Sequence, residues 1–292
     1  MKAGSFRYER AYTLAEVFRL RRDGDGDSQL LAGGQSLLAT LAFRLSEPSL
    51  IIDISRIPDL KGISVLPTGH LRVGALTTHR ELAAHPDVCR HAPLLAEAVP
   101  LIAHAAIRNR GTIGGSLAFA DAAAELPACC VALGARVIAT GPGGERAIPA
   151  ASFFTGLFAT AMAEDELIQA VEFPCAAPGD RATIVEVTRR SGDYAMAGLA
   201  AWAQDSGGRL QTPRLVYFGV GAGPVAATQA ARALGPAPWP SQKVKEAQAL
   251  LDRDLDPPAD QHGGPEMKRH LARVLLVRAV AKLGSDPEVR AA

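Results

Sequence analysis

The amino-acid sequence predicts an α+β fold in more than one domain, and three observations carry that expectation. Residues 13–54 run in the order helix, strand, glycine turn, helix, strand, the pattern of a small α/β unit with parallel pairing. A Pro- and Gly-bearing stretch at 174–179 reads as a linker. Beyond it, strand-like runs flank Gly207-Gly208 and helical stretches follow, as in an antiparallel sheet closed by helices. With 292 residues, 48% of them apolar, the chain can bury cores for both parts.

Each element has its own warrant. Leu14, Val17, Phe18 and Leu20 fall at roughly helical spacing behind Thr13, whose hydroxyl suits an N-cap. The acidic, glycine-bearing residues 23–27 end that helix. Residues 29–32 form a short apolar strand broken by Gly33 and Gly34, residues 37–45 resume helical spacing, and 50–54 are another strand. Residues 71–75 read as a strand, 78–84 as a helix, and 93–106 as an apolar helix interrupted at Pro100. A second glycine loop, 110–116, follows directly. An Ala-rich helix at 122–133 and strands at 135–140 and 171–174 lead to the linker. After it, 182–188, 195–204 and 210–220 read as strands, and 244–251 and 267–283 as helices. No internal repeat or long low-complexity tract interrupts the pattern.

Composition excludes several classes. Lys and Arg number 31 against 30 Asp and Glu, a formal net charge of +1, which argues against a nucleic-acid footprint. Charges run through the first 26 residues, so no secretory signal is expected, and no run approaches the about 18 apolar residues of a membrane span. A cytoplasmic protein, not an integral membrane one, is expected. Cys89, Cys129, Cys130 and Cys175 contain no C-x-x-C pair and read as free thiols, short of the spacing that an iron–sulfur cluster needs.

The two glycine loops are the candidate site. Ala32-Gly33-Gly34-Gln35-Ser36 ends a strand and opens a helix. A helix start exposes unpaired N–H groups and the positive end of its dipole, and glycines let backbone approach an anion closely. Thr112-Ile113-Gly114-Gly115-Ser116 offers a second cradle, with hydroxyls at both ends and Arg110 nearby. Either loop alone reads more readily as a tight turn. Together they suit a pyrophosphate, which has two anionic centres. Neither matches the dinucleotide fingerprint or the P-loop. Gly219-Val220-Gly221-Ala222-Gly223 imitates that fingerprint, but its third glycine is misplaced and Pro224 follows at once; it reads as a strand-end turn.

At these loops the chain resembles a known family. The segments Leu31-Ala32-Gly33-Gly34-Gln35-Ser36-Leu37-Leu38, Asp53-Ile54-Ser55-Arg56-Ile57, Gly74-Ala75-Leu76-Thr77-Thr78-His79 and Arg108-Asn109-Arg110-Gly111-Thr112-Ile113-Gly114-Gly115-Ser116 are similar to the medium, FAD-binding subunits of the carbon monoxide dehydrogenase and xanthine dehydrogenase family. Glu125-Leu126-Pro127, Phe153-Phe154-Thr155-Gly156, Arg189-Arg190-Ser191-Gly192-Asp193-Tyr194 and His270-Leu271-Ala272-Arg273 continue the likeness in register, over nearly the whole chain.

The resemblance implies a two-subdomain FAD-binding fold over 1–176, divided near residue 57, and a C-terminal domain over 177–292 with a three-stranded antiparallel sheet and helices. It implies that both glycine loops hold the FAD pyrophosphate, that Glu125 contacts the cofactor, and that Leu167 or Ile168 lies against the flavin ring. Tyr194 is a further candidate near the flavin. Ser116 stands where relatives more often have Asn, and Glu125 is one methylene longer than the usual Asp. Glu186 stands where relatives often have a lysine; an ionised carboxylate facing the flavin would lower its reduction potential. His79 and His104 read as packed or surface histidines, and Arg189-Arg190 as a solvated or interface pair.

The function implied is electron relay in a molybdenum hydroxylase. An iron–sulfur small subunit and a molybdopterin large subunit are the implied partners, with NAD, a quinone, a cytochrome or O2 as external acceptor. No side chain need act as acid, base or nucleophile, because the cofactor carries the chemistry. Two alternatives stand beside it: a self-contained FAD-dependent oxidoreductase on the same fold, and a non-catalytic module of an assembly.

Overall fold

A computed structural model describes residues 2–24 and 27–284 of the chain. Residues 25 and 26 of the stretch expected to end the first helix, and 285–292 of the expected second domain, lie outside the described residues. The N-terminal unit is a three-stranded parallel sheet in the spatial order Arg7–Arg10, Leu50–Asp53, Ser28–Leu31. The helix Leu14–Asp23 crosses between its strands, with the Thr13 hydroxyl accepting from the Glu16 N–H as its N-cap. All four residues of Leu50–Asp53 are buried, as a central parallel strand covered on both faces requires.

A five-stranded antiparallel sheet follows, ordered Ile63–Val65, His70–Gly74, Leu167–Pro174, Arg136–Gly141, Gly144–Pro149. Its central strand Leu167–Pro174 begins four residues earlier than the sequence predicts and carries the sheet between two cores. Two edge strands and the N-terminal strand Arg7–Arg10 escape sequence reading. In Gly144–Pro149 only Ile148 is buried, so no apolar alternation announces the strand. The expected 93–106 helix is instead Pro93–Ala98, a 3-10 turn at Val99–Leu101 and Ala105–Arg108. Pro100, which lacks an N–H, breaks the ladder there.

The C-terminal sheet has three long antiparallel strands, Arg181–Val187, Ala197–Ala203 and Arg214–Phe218, with the two-residue Val225–Ala226 added at one edge. Pro213 shortens the expected 210–220 strand. Both sheet faces are covered. Ile184, Ala200, Val216 and Phe218 join the core built on the helices Pro93–Ala98 and Glu125–Leu133. Val185, Leu199, Leu215 and Tyr217 face the helices Thr228–Leu234, Ser241–Asp254 and Pro265–Gly284. This period-two division welds the last domain to the preceding one.

Lys268, only 2% exposed, fastens the last helix to the sheet end by donating to the Gly219 carbonyl (2.8 Å) and pairing with Asp260 (2.5 Å). Gly219 is left-handed (φ 73°) and its N–H reaches the Ala122 carbonyl; the dinucleotide-like run is therefore a turn. Arg189 donates to the Gln261 carbonyl.

Among the described residues no helix is long and apolar enough to cross a membrane, and no group of His, Cys, Asp or Glu is placed to hold a metal. Cys129 and Cys130 are free, fully buried thiols raised by that burial.

Candidate functional site

The three parts of the chain converge on one cavity of about 740 Å³. The parallel unit contributes the turn at 32–37, the middle unit the loop at 111–116 with Glu125, Leu167 and Ile168, and the C-terminal domain residues 192–194. Every residue expected to contact the cofactor lines this cavity except Ile113, which is fully buried in the adjoining core.

The two glycine loops are built differently. In the first, the N–H groups of Gly33, Gly34, Gln35 and Ser36 have no hydrogen-bond partner among the described residues. Gly34 takes a left-handed φ of 76°, which a glycine tolerates without strain. The result is a row of free donors at a helix start, facing a cavity. That arrangement fits a phosphate.

In the second loop the backbone donors are already used. Ile113 N–H donates to the Thr77 carbonyl (3.0 Å) and Gly114 N–H to the Ala75 carbonyl (2.9 Å). Gly115 N–H reaches Thr112 Oγ1 (3.2 Å), and Ser116 N–H the Thr112 carbonyl (3.0 Å). Gly114 is needed for packing: a Cβ there would stand 2.5 Å from the Ala75 Cβ. The backbone of this second loop thus has no free N–H at 113–116 to offer an anion. Thr112, Gly114, Gly115 and Ser116 of this loop line the cavity, and its hydroxyls belong to Thr112 and Ser116. The loops also touch, since a Cβ on Gly33 would lie 2.0 Å from the Arg110 carbonyl oxygen.

Electrostatics divides the cavity. Glu125 is buried, and burial, with Glu186 and Asp121 nearby, pushes its carboxyl up to about 8. Burial raises Glu186 to about 7, and its Oε2 is buried without a partner. Glu186 does not line the cavity. Glu186 is half-buried beside Glu125, and burial holds its carboxyl near 7, so only part of it is ionised at neutral pH. Tyr194 stands 61% exposed at the mouth, its phenol raised by partial burial and by Asp121 and Glu125.

Sequence reading missed other parts of the wall. His79, expected to be packed, is buried but also lines the cavity, and His104 lines it from an exposed position. Phe158 packs on Phe119 at 5.1 Å between ring centroids, and both line the cavity. Phe158 and Ala103 have left-handed φ of 54° and 41°. The two other such non-glycine residues among the described ones, Ala120 and Arg44, adjoin lining residues. Strained backbone gathers around this cavity, as it does at ligand sites. No sequence signal marks these four positions.

A family model described as the FAD binding domain in molybdopterin dehydrogenase matches residues 4–176, and one described as the CO dehydrogenase flavoprotein C-terminal domain matches 182–283. The chain is 38% identical over 283 residues to the 6-hydroxypseudooxynicotine dehydrogenase complex subunit alpha of Paenarthrobacter nicotinovorans, covering 97% of this chain and 95% of that one. It is 34% identical to the carbon monoxide dehydrogenase medium chain of Hydrogenophaga pseudoflava, with 94% and 96% covered. The solved carbon monoxide dehydrogenase of that organism superposes with a TM-score of 0.93 at 33% identity, over 97% and 98% of the two chains. Quinoline 2-oxidoreductase from Pseudomonas putida 86 superposes at 0.90 with 35% identity, over 97% and 98%.

Proposed function

Because the chain belongs to the family of FAD-binding subunits of molybdopterin dehydrogenases, we propose that it is the flavin-bearing electron-relay subunit of a cytoplasmic molybdenum hydroxylase. The observation that carries the assignment of the site is the row of unpartnered N–H groups at 33–36 facing a cavity of about 740 Å³. Bound there, FAD would supply two-electron redox chemistry between an iron–sulfur small subunit, with its molybdopterin large subunit, and an external acceptor such as NAD, a quinone, a cytochrome or O2.

The chain's own residues bind and orient. Ala32, Gly33, Gly34, Gln35 and Ser36 hold one phosphate through backbone and hydroxyl donors, and the Thr112 and Ser116 hydroxyls serve the other. Gly115 keeps that wall free of a side chain; Gly114 and Ile113 fix the loop from behind. Leu167 and Ile168 would give a ring of the cofactor an apolar wall, and Glu125 and Tyr194 line the same cavity. Glu125, protonated at neutral pH, offers an O–H donor where an ionised carboxylate would repel a reduced, anionic ring. The domain division that goes with this reading is 1–176, with subdomains of about 1–57 and 58–176, and 177–292.

The purified chain is expected to carry FAD non-covalently, one per chain, released by acid and identified by chromatography. FMN, or a folded protein that binds no flavin, would overturn the reading. Dithionite is expected to bleach the bound flavin, whereas a hydroxylase substrate bleaches it only after both partner subunits are added. Bleaching of the lone chain by substrate would favour a self-contained oxidoreductase.

A further inference from the structure

We propose that the His79 imidazole binds the cofactor, supplying from the second loop's side of the cavity a hydrogen bond to the pyrophosphate that the loop's backbone cannot give. The inference rests on the FAD reading above and adds a residue to it. His79 is 6% exposed, lines the cavity, and neither Nδ1 nor Nε2 has a hydrogen-bond partner. Two unpaired ring nitrogens are a costly thing to bury. They make sense as a ligand contact, because the N–H groups of residues 113–116 are all spent inside the protein.

The ring is held in place from three directions. Its helix, His79–Ala84, starts with a capping box: Thr78 Oγ1 accepts from the Glu81 N–H, and the Glu81 carboxylate accepts from the Thr78 N–H (2.7 Å). The His79 N–H donates to the Gly111 carbonyl (2.9 Å). A Cβ on Gly111 would lie 3.0 Å from His79 Cε1, so that loop residue is bare where the ring sits. Burial, with Arg108 adding and the Thr112 carbonyl opposing, pulls the imidazole down to about 4. It is neutral at physiological pH, with one N–H to donate to a phosphoryl oxygen and one lone pair to accept from a hydroxyl.

The test titrates the flavin-free, full-length chain with FAD and with ADP, which share the pyrophosphate. His79→Leu is expected to weaken both about tenfold or more, while His79→Gln, which keeps an N–H donor, recovers most of the loss. The flavin-free Leu variant should melt no lower than the wild type, because two unpaired buried nitrogens are gone. His79→Phe serves where the Leu variant does not fold. A lower melting temperature with unchanged FAD affinity would make His79 a packing residue and overturn the proposal. Loss of FAD affinity with ADP affinity unchanged would place the contact elsewhere and overturn it too. A folded wild type that binds neither ligand would sink the FAD reading itself, which separates the two failures.

Discussion

Gly33→Val is expected to abolish FAD binding, lowering affinity more than a hundredfold. The reason is an approach of backbone to backbone. A Cβ at residue 33 would sit 2.0 Å from the Arg110 oxygen, 2.8 Å from its carbonyl carbon and 3.1 Å from the Gly111 Cα. None of these atoms can swing aside, so the first loop must separate from the second and the donors at 33–36 lose their aim at the cavity. Gly115→Ala is the instructive contrast. Its Cβ would meet only Thr112 Oγ1, at 2.9 Å, a side-chain atom that can rotate, so a loss of only a few-fold is expected. Gly143→Ala meets nothing within 4 Å and serves as the control. Isothermal titration with FAD and thermal melting of each variant check the series. FAD affinity of Gly33→Val equal to that of the wild type would show that the contact between the loops does not shape the site.

Glu125→Gln is expected to make the flavin-free protein markedly more stable above neutral pH and to leave it little changed near pH 4.5. The native carboxyl titrates at about 8 against 4.5 when free. Between those values the unfolded chain releases a proton that the folded chain keeps. Stability therefore falls as pH rises through that window, and the fall is complete once pH exceeds about 8. Fully developed, a displacement of that size corresponds to at most roughly 5 kcal/mol, a large share of an ordinary domain's stability. The carboxyls that face Glu125 act in the same sense: Asp121 adds repulsion, and Glu186, displaced to about 7, adds a slope of its own between 4.5 and 7. Melting temperatures of wild type and Glu125→Gln from pH 4.5 to 9 check this. Parallel curves would show that Glu125 is solvated and ionised in the folded protein.

The second carboxyl illustrates what a lone sequence withholds. Glu186 sits in the strand Arg181–Val187, and its place in the strand could be read from apolar alternation. Whether it meets the cavity depends on how the C-terminal sheet packs against the helix Glu125–Leu133. That packing leaves it outside the cavity, half-buried and beside another carboxyl. An inference about redox potential drawn from residue type alone has no access to such burial.

His79 shows the same limit from the other side. Its sequence context is a helix start, where packed and exposed histidines are equally compatible with local pattern. It becomes an unpaired buried ring only because residues 107–112, about thirty positions away, fold back over it. The strained residues Ala103, Ala120 and Phe158 are invisible for a related reason: positive φ in a residue with a side chain is imposed by tertiary packing and leaves no preference in the sequence.

Local chemistry was written plainly in the chain. The strand–glycine–helix turn at 32–36, the parallel unit of residues 7–53 apart from its first strand, and the helices Ser241–Asp254 and Pro265–Gly284 follow from short-range spacing and from residues with special backbone behaviour, whereas the short helix Thr228–Leu234 does not. The family motifs likewise pointed to both loops and to Glu125, which line one cavity. Tertiary structure alone decided which loop keeps free backbone donors and which spends them, that Gly33 and Gly114 serve contacts between protein segments, that burial raises the carboxyls of Glu125 and Glu186, and that His79 opens onto the cavity. Hydrogen-bond supply, burial and proton affinity belong to pairs of segments far apart in sequence, and they exist only once the chain has brought those segments together.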